Sequence, residues 1–252
     1  MTSDDILKAL GSDSMEPSAD LFAAAAASPE VLEKLRSLLK RVADTGGSVS
    51  KRETNIASWA AYVFAESGSK EAVPALYALL DTKAEVATKF AGAYADLDLP
   101  VIFLRLAGKD VVDTFGQLSQ TYGGAAEVRA SAFRAAAAAW AHGLISREAA
   151  LLPMIDELGR MCDEGYAELQ DDEWFDTLLD AALEIHPAGL EDSLEALREY
   201  WDMQDDWDAE IAEALEESQE DALARLRATY PIFTRAMQFV DRWDEIDDAE
   251  GQ

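Results

Sequence analysis

The fold class is decided by residues 56–81, which read IASWAAYVFAESGSKEAVPALYALLD. Ile56 and Trp59 fall on one face of a first helix, and Leu76 and Leu80 fall on one face of a second. The Ser-Gly-Ser sequence between the two helices predicts a short turn. Two amphipathic helices joined by so short a turn pack antiparallel. The stretch therefore predicts a helical hairpin.

Similar helices are predicted on both sides of this hairpin. Ser28 and Pro29 form a helix start ahead of an apolar stripe that ends at Gly46 and Gly47. Ser146 is a plausible N-cap for a helix of a second hairpin. The chain has 14 glycines and 7 prolines in 252 residues, and alternating strand patterns are scarce. We therefore predict an all-α fold in which antiparallel helix pairs stack as an α-solenoid, or α-α superhelix.

The patterns divide a single domain into three parts. These are a helical lead-in over residues 1–52, helix pairs over residues 53–205, and acidic C-terminal helices over residues 206–252. Within the middle part, Pro100, Gly108 and Gly116 predict a region broken into short helices.

The hairpin at residues 56–81 resembles a HEAT repeat, in which a turn containing glycine precedes an Ala-Val-Pro-x-Leu helix, here Ala72–Leu76. The order of elements over residues 53–205, including EVRASA at 127–132 and GLISRE at 143–148, is similar to a bacterial family of uncharacterised HEAT-like proteins. Some members of that family end in a zinc-binding tail rich in cysteine and histidine, which this chain lacks. The resemblance implies a scaffold of stacked helices without an assigned activity.

The net charge is strongly negative and unevenly distributed. The chain has 50 acidic and 21 basic side chains, a formal net charge of −29. Residues 1–150 contain 19 acids and 15 bases, a net of −4, whereas residues 151–252 contain 31 acids and 6 bases, a net of −25. Such a surface repels the phosphates of nucleic acids and of anionic membranes. We therefore expect neither direct nucleic-acid binding nor membrane binding.

The sequence also indicates where the protein acts. No apolar run approaches the roughly 18–20 residues that span a bilayer, and Met1 is followed by Thr-Ser-Asp-Asp rather than by a signal peptide. A single cysteine, Cys162, excludes an internal disulfide and a zinc site built on several thiolates. These features favour a soluble protein of the cytoplasm.

Acidic side chains recur along two predicted helices of the C-terminal half. Asp172, Asp176, Asp180 and Glu184 repeat every four residues on the first helix and predict a continuous negative stripe. Like charges at this spacing cost about 0.2–0.5 kcal/mol per pair, so the stripe is either tolerated or used. The second helix and the segment after it give the residues predicted to bind a partner, which are Glu191, Glu195, Glu199, Tyr200, Asp202, Asp205 and Asp206.

The sequence shows no recognisable catalytic or metal motif. His142 and His186 each fall at a predicted helix end, where an imidazolium favourably meets the helix dipole. Two carboxylates beside Cys162 discourage a thiolate, so we interpret it as a packed residue. The acidic cluster at residues 202–210 lacks the glycine that a calcium hand requires at its sixth position. We predict no catalytic residue, no metal site and no cofactor.

Three functions and a neutral alternative are compatible with these patterns. The first is a non-catalytic interaction scaffold whose acidic face binds a basic protein or peptide segment. The second is a decoy that imitates nucleic-acid phosphates and occupies the cleft of a nucleic-acid-binding protein. The third is an enzyme that uses a carboxylate pair or a divalent ion. The acidic surface is also explained by solubility or by a high-salt cytoplasm alone.

Overall fold

A computed structural model of the chain describes residues 1–12, 17–91, 95–120, 124–163, 174–185, 189–201, 211–212 and 215–239. These residues form an all-α structure without β-strands, as predicted. Three 3₁₀ turns accompany the α-helices, which are α1 (Ser3–Leu10), α2 (Ala19–Ala26), α3 (Pro29–Asp44), α4 (Lys51–Ser67), α5 (Val73–Leu80), α6 (Ala84–Ala91), α7 (Ala95–Ala107), α8 (Val111–Phe115), α9 (Ala126–Ala141), α10 (Arg147–Met161), α11 (Trp174–Ile185), α12 (Glu191–Trp201) and α13 (Gln219–Thr229).

The predicted helix signals lie where helices begin and end. The Ser28 side chain accepts a hydrogen bond from the Val31 amide at the start of α3, and Ser146 caps α10 in the same way. Such caps satisfy backbone N–H groups that lack intrahelical acceptors. Gly68 ends α4 in the left-handed region at φ 63°, a conformation that favours glycine. The end of α4 is therefore encoded locally, but α5 packs mainly against α3 and α6, so the antiparallel packing of α4 on α5 predicted from the short turn is not the main contact of either helix.

The break predicted at Pro100 is wrong, because α7 continues through this residue. Proline in a helix interior costs about 3 kcal/mol through a lost hydrogen bond and a steric clash. Its neighbours Leu99, Val101 and Ile102 are buried, and each buried side chain of this size contributes about 1.5–3 kcal/mol. Burial of the apolar run therefore outweighs the local cost. The chain breaks only after α7, where Gly108 adopts a positive φ.

Helix α9 occupies the centre of the packing. Every residue of α9 except Glu127 and Arg134 is buried, and the helix contacts α7, α10, α11 and α13. Its alanine run allows neighbouring backbones to approach closely. No helix among the described residues is long and apolar enough to cross a bilayer.

Two buried polar pairs join helices within the core. Arg129 of α9 is 1% exposed and pairs with the fully buried Glu157 of α10, which also pairs with Arg160. The Tyr62 hydroxyl of α4 donates to the buried Asp98 carboxylate of α7 at 2.8 Å, and burial raises the pKa of this tyrosine. Both pairs fix the position of one helix against the next.

Part of residues 206–252, predicted as acidic C-terminal helices, is described, and α13 is one such helix with Glu220 and Asp221 in its first turn. After α13 the chain has no regular secondary structure over residues 231–235, where Pro231 lacks an N–H to continue a helix. The side chains of Phe233 and Phe239 are buried. We call residues 230–239 the C-terminal strap, because they lie across several helices. Residues 202–210, 213–214 and 240–252 lie outside the described part of the chain.

The C-terminal strap contacts the helices in reverse chain order. The Tyr230 hydroxyl donates to Glu184 of α11, and the Tyr230 carbonyl meets His142 Nε2 after α9 at 2.9 Å. The Phe233 ring lies under the Arg105 guanidinium of α7 at 5.8 Å.

The far end of the strap reaches α4. The Ala236 amide donates to the carboxylate of Glu66, and the Phe239 ring meets the Tyr62 ring edge-on at 5.3 Å. Trp59 and Phe22 of α2 extend this aromatic cluster. The first and last parts of the described chain therefore share one core.

We expect Glu157→Leu to lower the free energy of unfolding by about 3–5 kcal/mol, because it removes the carboxylate that faces a buried guanidinium. Arg129→Met combined with Glu157→Leu should recover much of this loss, since the two fully buried charges are then gone and the charge that stays is Arg160, whose side chain is 29% exposed. Urea denaturation of the single and double variants measures both values. The control is Glu33→Gln at the surface pair with Arg36, which should cost less than about 1 kcal/mol.

Phe239→Ala should lower the free energy of unfolding by about 3–5 kcal/mol, because Phe239 is 1% exposed in the aromatic cluster. Ile232→Ala is the matched control within the C-terminal strap, since Ile232 is 64% exposed, and it should change the value by less than about 0.5 kcal/mol. The two variants are compared by chemical denaturation. If both variants changed the free energy of unfolding by the same small amount, the C-terminal strap would not belong to the cooperative core.

Candidate functional site

A groove runs between α12 and the residues that precede α13. Its volume is about 460 Å³. Leu194 of α12 is buried at the base of the groove, and Ile211 and Leu215 are half-buried on the opposite side. Its full lining is Glu191, Asp192, Leu194, Glu195, Arg198, Ile211, Ala212 and Leu215. We call it the acidic groove.

The charges of the acidic groove lie along one side of α12. Glu191, Asp192 and Glu195 are exposed, and Glu195 accepts a hydrogen bond from Arg198 at 2.8 Å. The groove therefore has three carboxylates and a single guanidinium beside an apolar wall. This combination suits a ligand that has cationic groups next to apolar ones.

The predicted partner-binding residues separate into three groups. Glu191 and Glu195 line the acidic groove. Glu199 and Tyr200 are exposed on α12 outside the groove lining. At 3.6 residues per turn, Tyr200 is about 180° around the helix from Glu191, so its 44% exposed ring belongs to another face. The remaining three, Asp202, Asp205 and Asp206, lie outside the described residues.

The negative stripe predicted on α11 is interrupted. Asp176 and Asp180 are exposed residues. Neighbouring atoms still remove some water from the Asp180 carboxyl, and this desolvation together with the charge of Asp176 raises its pKa. Glu184 instead turns toward the C-terminal strap, where it accepts hydrogen bonds from Arg134 Nε at 2.7 Å and from the Tyr230 hydroxyl. Its charge is therefore used inside the fold. Asp172 lies outside the described residues.

The residues with potential chemical reactivity have structural surroundings. His142 follows the last residue of α9, as predicted, and its Nε2 meets the carbonyl of Tyr230. Cys162 is half-buried against the core, its thiol contacts the Leu158 carbonyl at 3.5 Å, and burial raises its pKa. A raised pKa makes a thiolate nucleophile less abundant at neutral pH. His186 lies outside the described residues.

Among the described residues, no group of three or more His, Cys, Asp or Glu side chains is placed to hold a metal ion. The acidic cluster at residues 202–210 falls outside that part of the chain.

A larger cleft, of about 890 Å³, lies between α1, α3 and α4. It is lined by side chains of both charge signs, and several are already paired, including Lys34 with Asp4 at 2.9 Å and Arg41 with Glu53. The sequence patterns did not indicate this cleft, because its walls come from three helices whose charges are ordinary for an exposed surface. The mutual pairing leaves it without a preference for either charge sign.

Sequence reasoning also missed Asp192 as a groove residue. Asp192 and Glu195 are three residues apart and so project from the same side of a helix, which is the signal that would have identified the pair. The pairing of α12 with the segment around Ile211 is a tertiary contact, and no local pattern encodes it.

No family model, curated protein or solved structure matches the chain. The resemblance to HEAT-like bacterial proteins therefore stays a prediction, and the acidic groove itself is the basis for a functional assignment.

Proposed function

We propose that the protein is a non-catalytic cytoplasmic scaffold whose acidic groove binds a basic amphipathic segment of a partner protein. The observation that carries this proposal is the apolar wall of Leu194, Ile211 and Leu215 beside the carboxylates of Glu191 and Glu195. Acidic residues on a convex surface would serve solubility alone. An apolar concavity next to those residues adds a place for side chains of a ligand.

The chemistry of the groove defines the partner. A helix that presents apolar residues at i, i+3 and i+4 spacing can fill a groove between helices, which is a recurrent mode of peptide recognition. Lysine or arginine on its flanks would meet the carboxylates of α12. The net charge of −25 in residues 151–252 attracts such a segment over a distance and raises the association rate.

The proposed architecture is a HEAT-like stack of antiparallel helix pairs. Its support is the pattern of helix contacts, in which one row follows α2, α4, α7, α9 and α11. A second row contains the contacts of α3 with α5, of α8 with α10 and of α10 with α12. Contacts that run along two separate rows of helices are what a stack of hairpins would produce. The acidic groove would then lie at the C-terminal end of the stack.

The apolar wall favours the scaffold over a nucleic-acid decoy. A decoy needs carboxylates spaced like phosphates, and an apolar surface adds nothing to that imitation. Displacement of the bound partner by duplex DNA would instead support the decoy, since the partner would then be a nucleic-acid-binding protein.

The test is the binding of a short synthetic peptide of leucine and lysine whose leucines recur at helical spacing. We expect saturable binding that weakens steeply between about 50 and 300 mM salt, because the attraction is screened. Glu191→Gln, Asp192→Asn and Glu195→Gln together should weaken binding on the order of tenfold, at about 0.2–1 kcal/mol per exposed charge. Fluorescence anisotropy measures each dissociation constant.

The matched control variant combines Asp176→Asn, Asp180→Asn and Glu220→Gln, which changes the net charge equally at exposed positions outside the groove. This variant should bind within about twofold of the unchanged protein. Equal weakening by both variants would contradict a specific groove and leave only a general charge effect. A peptide of the same composition without leucine periodicity should bind less tightly, and equal affinity would contradict the role of the apolar wall.

A further inference from the structure

Another cavity, of about 270 Å³, lies where the C-terminal strap crosses the ends of α7 and α9. Leu104 and Arg105 come from α7, and Ile232 and Phe233 come from the strap. The lining is completed by two residues that follow α9, His142 and Leu144. We call it the strap cavity, and it is distinct from the acidic groove.

The apolar side chains of the strap cavity are unusually open to solvent. Ile232 is 64% exposed and Leu144 is 46% exposed, and both are among the most exposed large apolar side chains of the described residues. The neighbouring Phe233 and Leu104 are each 7% exposed, so the open side chains stand on a packed apolar floor. Exposed apolar side chains around a concavity are typical of a binding site.

The polar groups of the strap cavity are basic, and they are held by carbonyl groups. Arg105 Nε donates to the Ala65 carbonyl at 3.1 Å, and His142 Nε2 meets the Tyr230 carbonyl at 2.9 Å. Because a carbonyl oxygen only accepts, this contact assigns the ring proton of His142 to Nε2, which donates it to Tyr230.

Arg227 adds a third basic group next to the cavity, since its Nε donates at 2.6 Å to the carbonyl of Ala141, the residue before His142. Elsewhere in the fold, Arg134 and Arg225 pair with glutamates. In contrast, the described residues that line the strap cavity include no carboxylate. The cavity therefore combines the Arg105 guanidinium with an apolar lining in a chain of net charge −29.

We propose that the strap cavity binds a small apolar carboxylic acid, with its carboxylate at the Arg105 guanidinium and its hydrocarbon chain against Leu144, Ile232 and Phe233. The charge of the whole protein favours a ligand with a single negative charge over an acidic protein or a nucleic acid, since the long-range repulsion grows with ligand charge. One water molecule occupies about 30 Å³ in the liquid, so the cavity has room for roughly nine water molecules. A ligand of roughly ten non-hydrogen atoms, such as octanoate, matches that size.

The ligand would contact α7, the end of α9 and the C-terminal strap together. Its binding would therefore stabilise the docked strap, and the melting temperature should rise with ligand concentration.

The experiment is isothermal titration of the full chain with octanoate, in parallel with octylamine and butyrate. We expect one site per chain with a dissociation constant on the order of 1 mM or lower. Octylamine should bind at least about tenfold more weakly because its ammonium meets the Arg105 guanidinium, and butyrate should bind more weakly because it fills less of the apolar wall. Failure of octanoate to saturate, or equal binding of octylamine, would overturn the proposal.

Ile232→Glu places a carboxylate at the rim of the cavity, where it competes for the same guanidinium, and should weaken octanoate binding at least about tenfold. The matched control is Leu152→Glu on α10, because Leu152 is similarly exposed at 56% but lies outside the cavity. Leu152→Glu should leave the affinity for octanoate within about twofold of that of the unchanged protein. Leu144→Asn is the second variant if Ile232→Glu fails to fold. Unchanged binding by a folded cavity variant, or equal losses in cavity and control variants, would contradict the assignment.

Discussion

The contact of the C-terminal strap with helices in reverse chain order is the constraint on which the rest of the structure depends. Helices that contact only their neighbours in the chain can unfold in separate parts. The strap joins Ala236 to Glu66, which are 170 positions apart, and crosses α11, α9 and α7 on the way. One segment therefore links the stability of distant helices. The acidic half is held to the remainder by this segment and by the contacts of α9 with α10, α11 and α13.

The structure also depends on close packing around α9. This helix places one charged side chain in the core. The alanine run brings α7, α10 and α11 close to one axis, and Arg129 is the largest side chain enclosed there. A buried guanidinium is tolerated because Glu157 lies opposite. Such a pair contributes little net stability compared with an apolar pair of the same shape, but its directional hydrogen bonds define how α9 and α10 align.

Local signals of the sequence were enough to predict the helical class and many helix ends. Ser28, Ser146 and Gly68 act through contacts within a few residues, so their roles follow from spacing. The strap could not be predicted in this way, because its partners are distant in the chain. The role of Glu184 was hidden for the same reason, since a periodic acidic row gives no sign that one member faces Arg134. At the acidic groove, helical spacing was enough to place carboxylates together on one side of α12, whereas the opposite wall is set by tertiary packing.

The geometry of the C-terminal strap also determines how the molecule responds to mechanical force. Its anchors are arranged in series, with Phe239 and Ala236 at α4, Phe233 at α7 and Tyr230 at α9 and α11. A force that pulls residue 239 away from the surface would detach these anchors one at a time. At each step only one anchor would resist the force. Tension along the strap would instead strain all anchors at once. The protein should therefore be mechanically weak in the first direction and strong in the second.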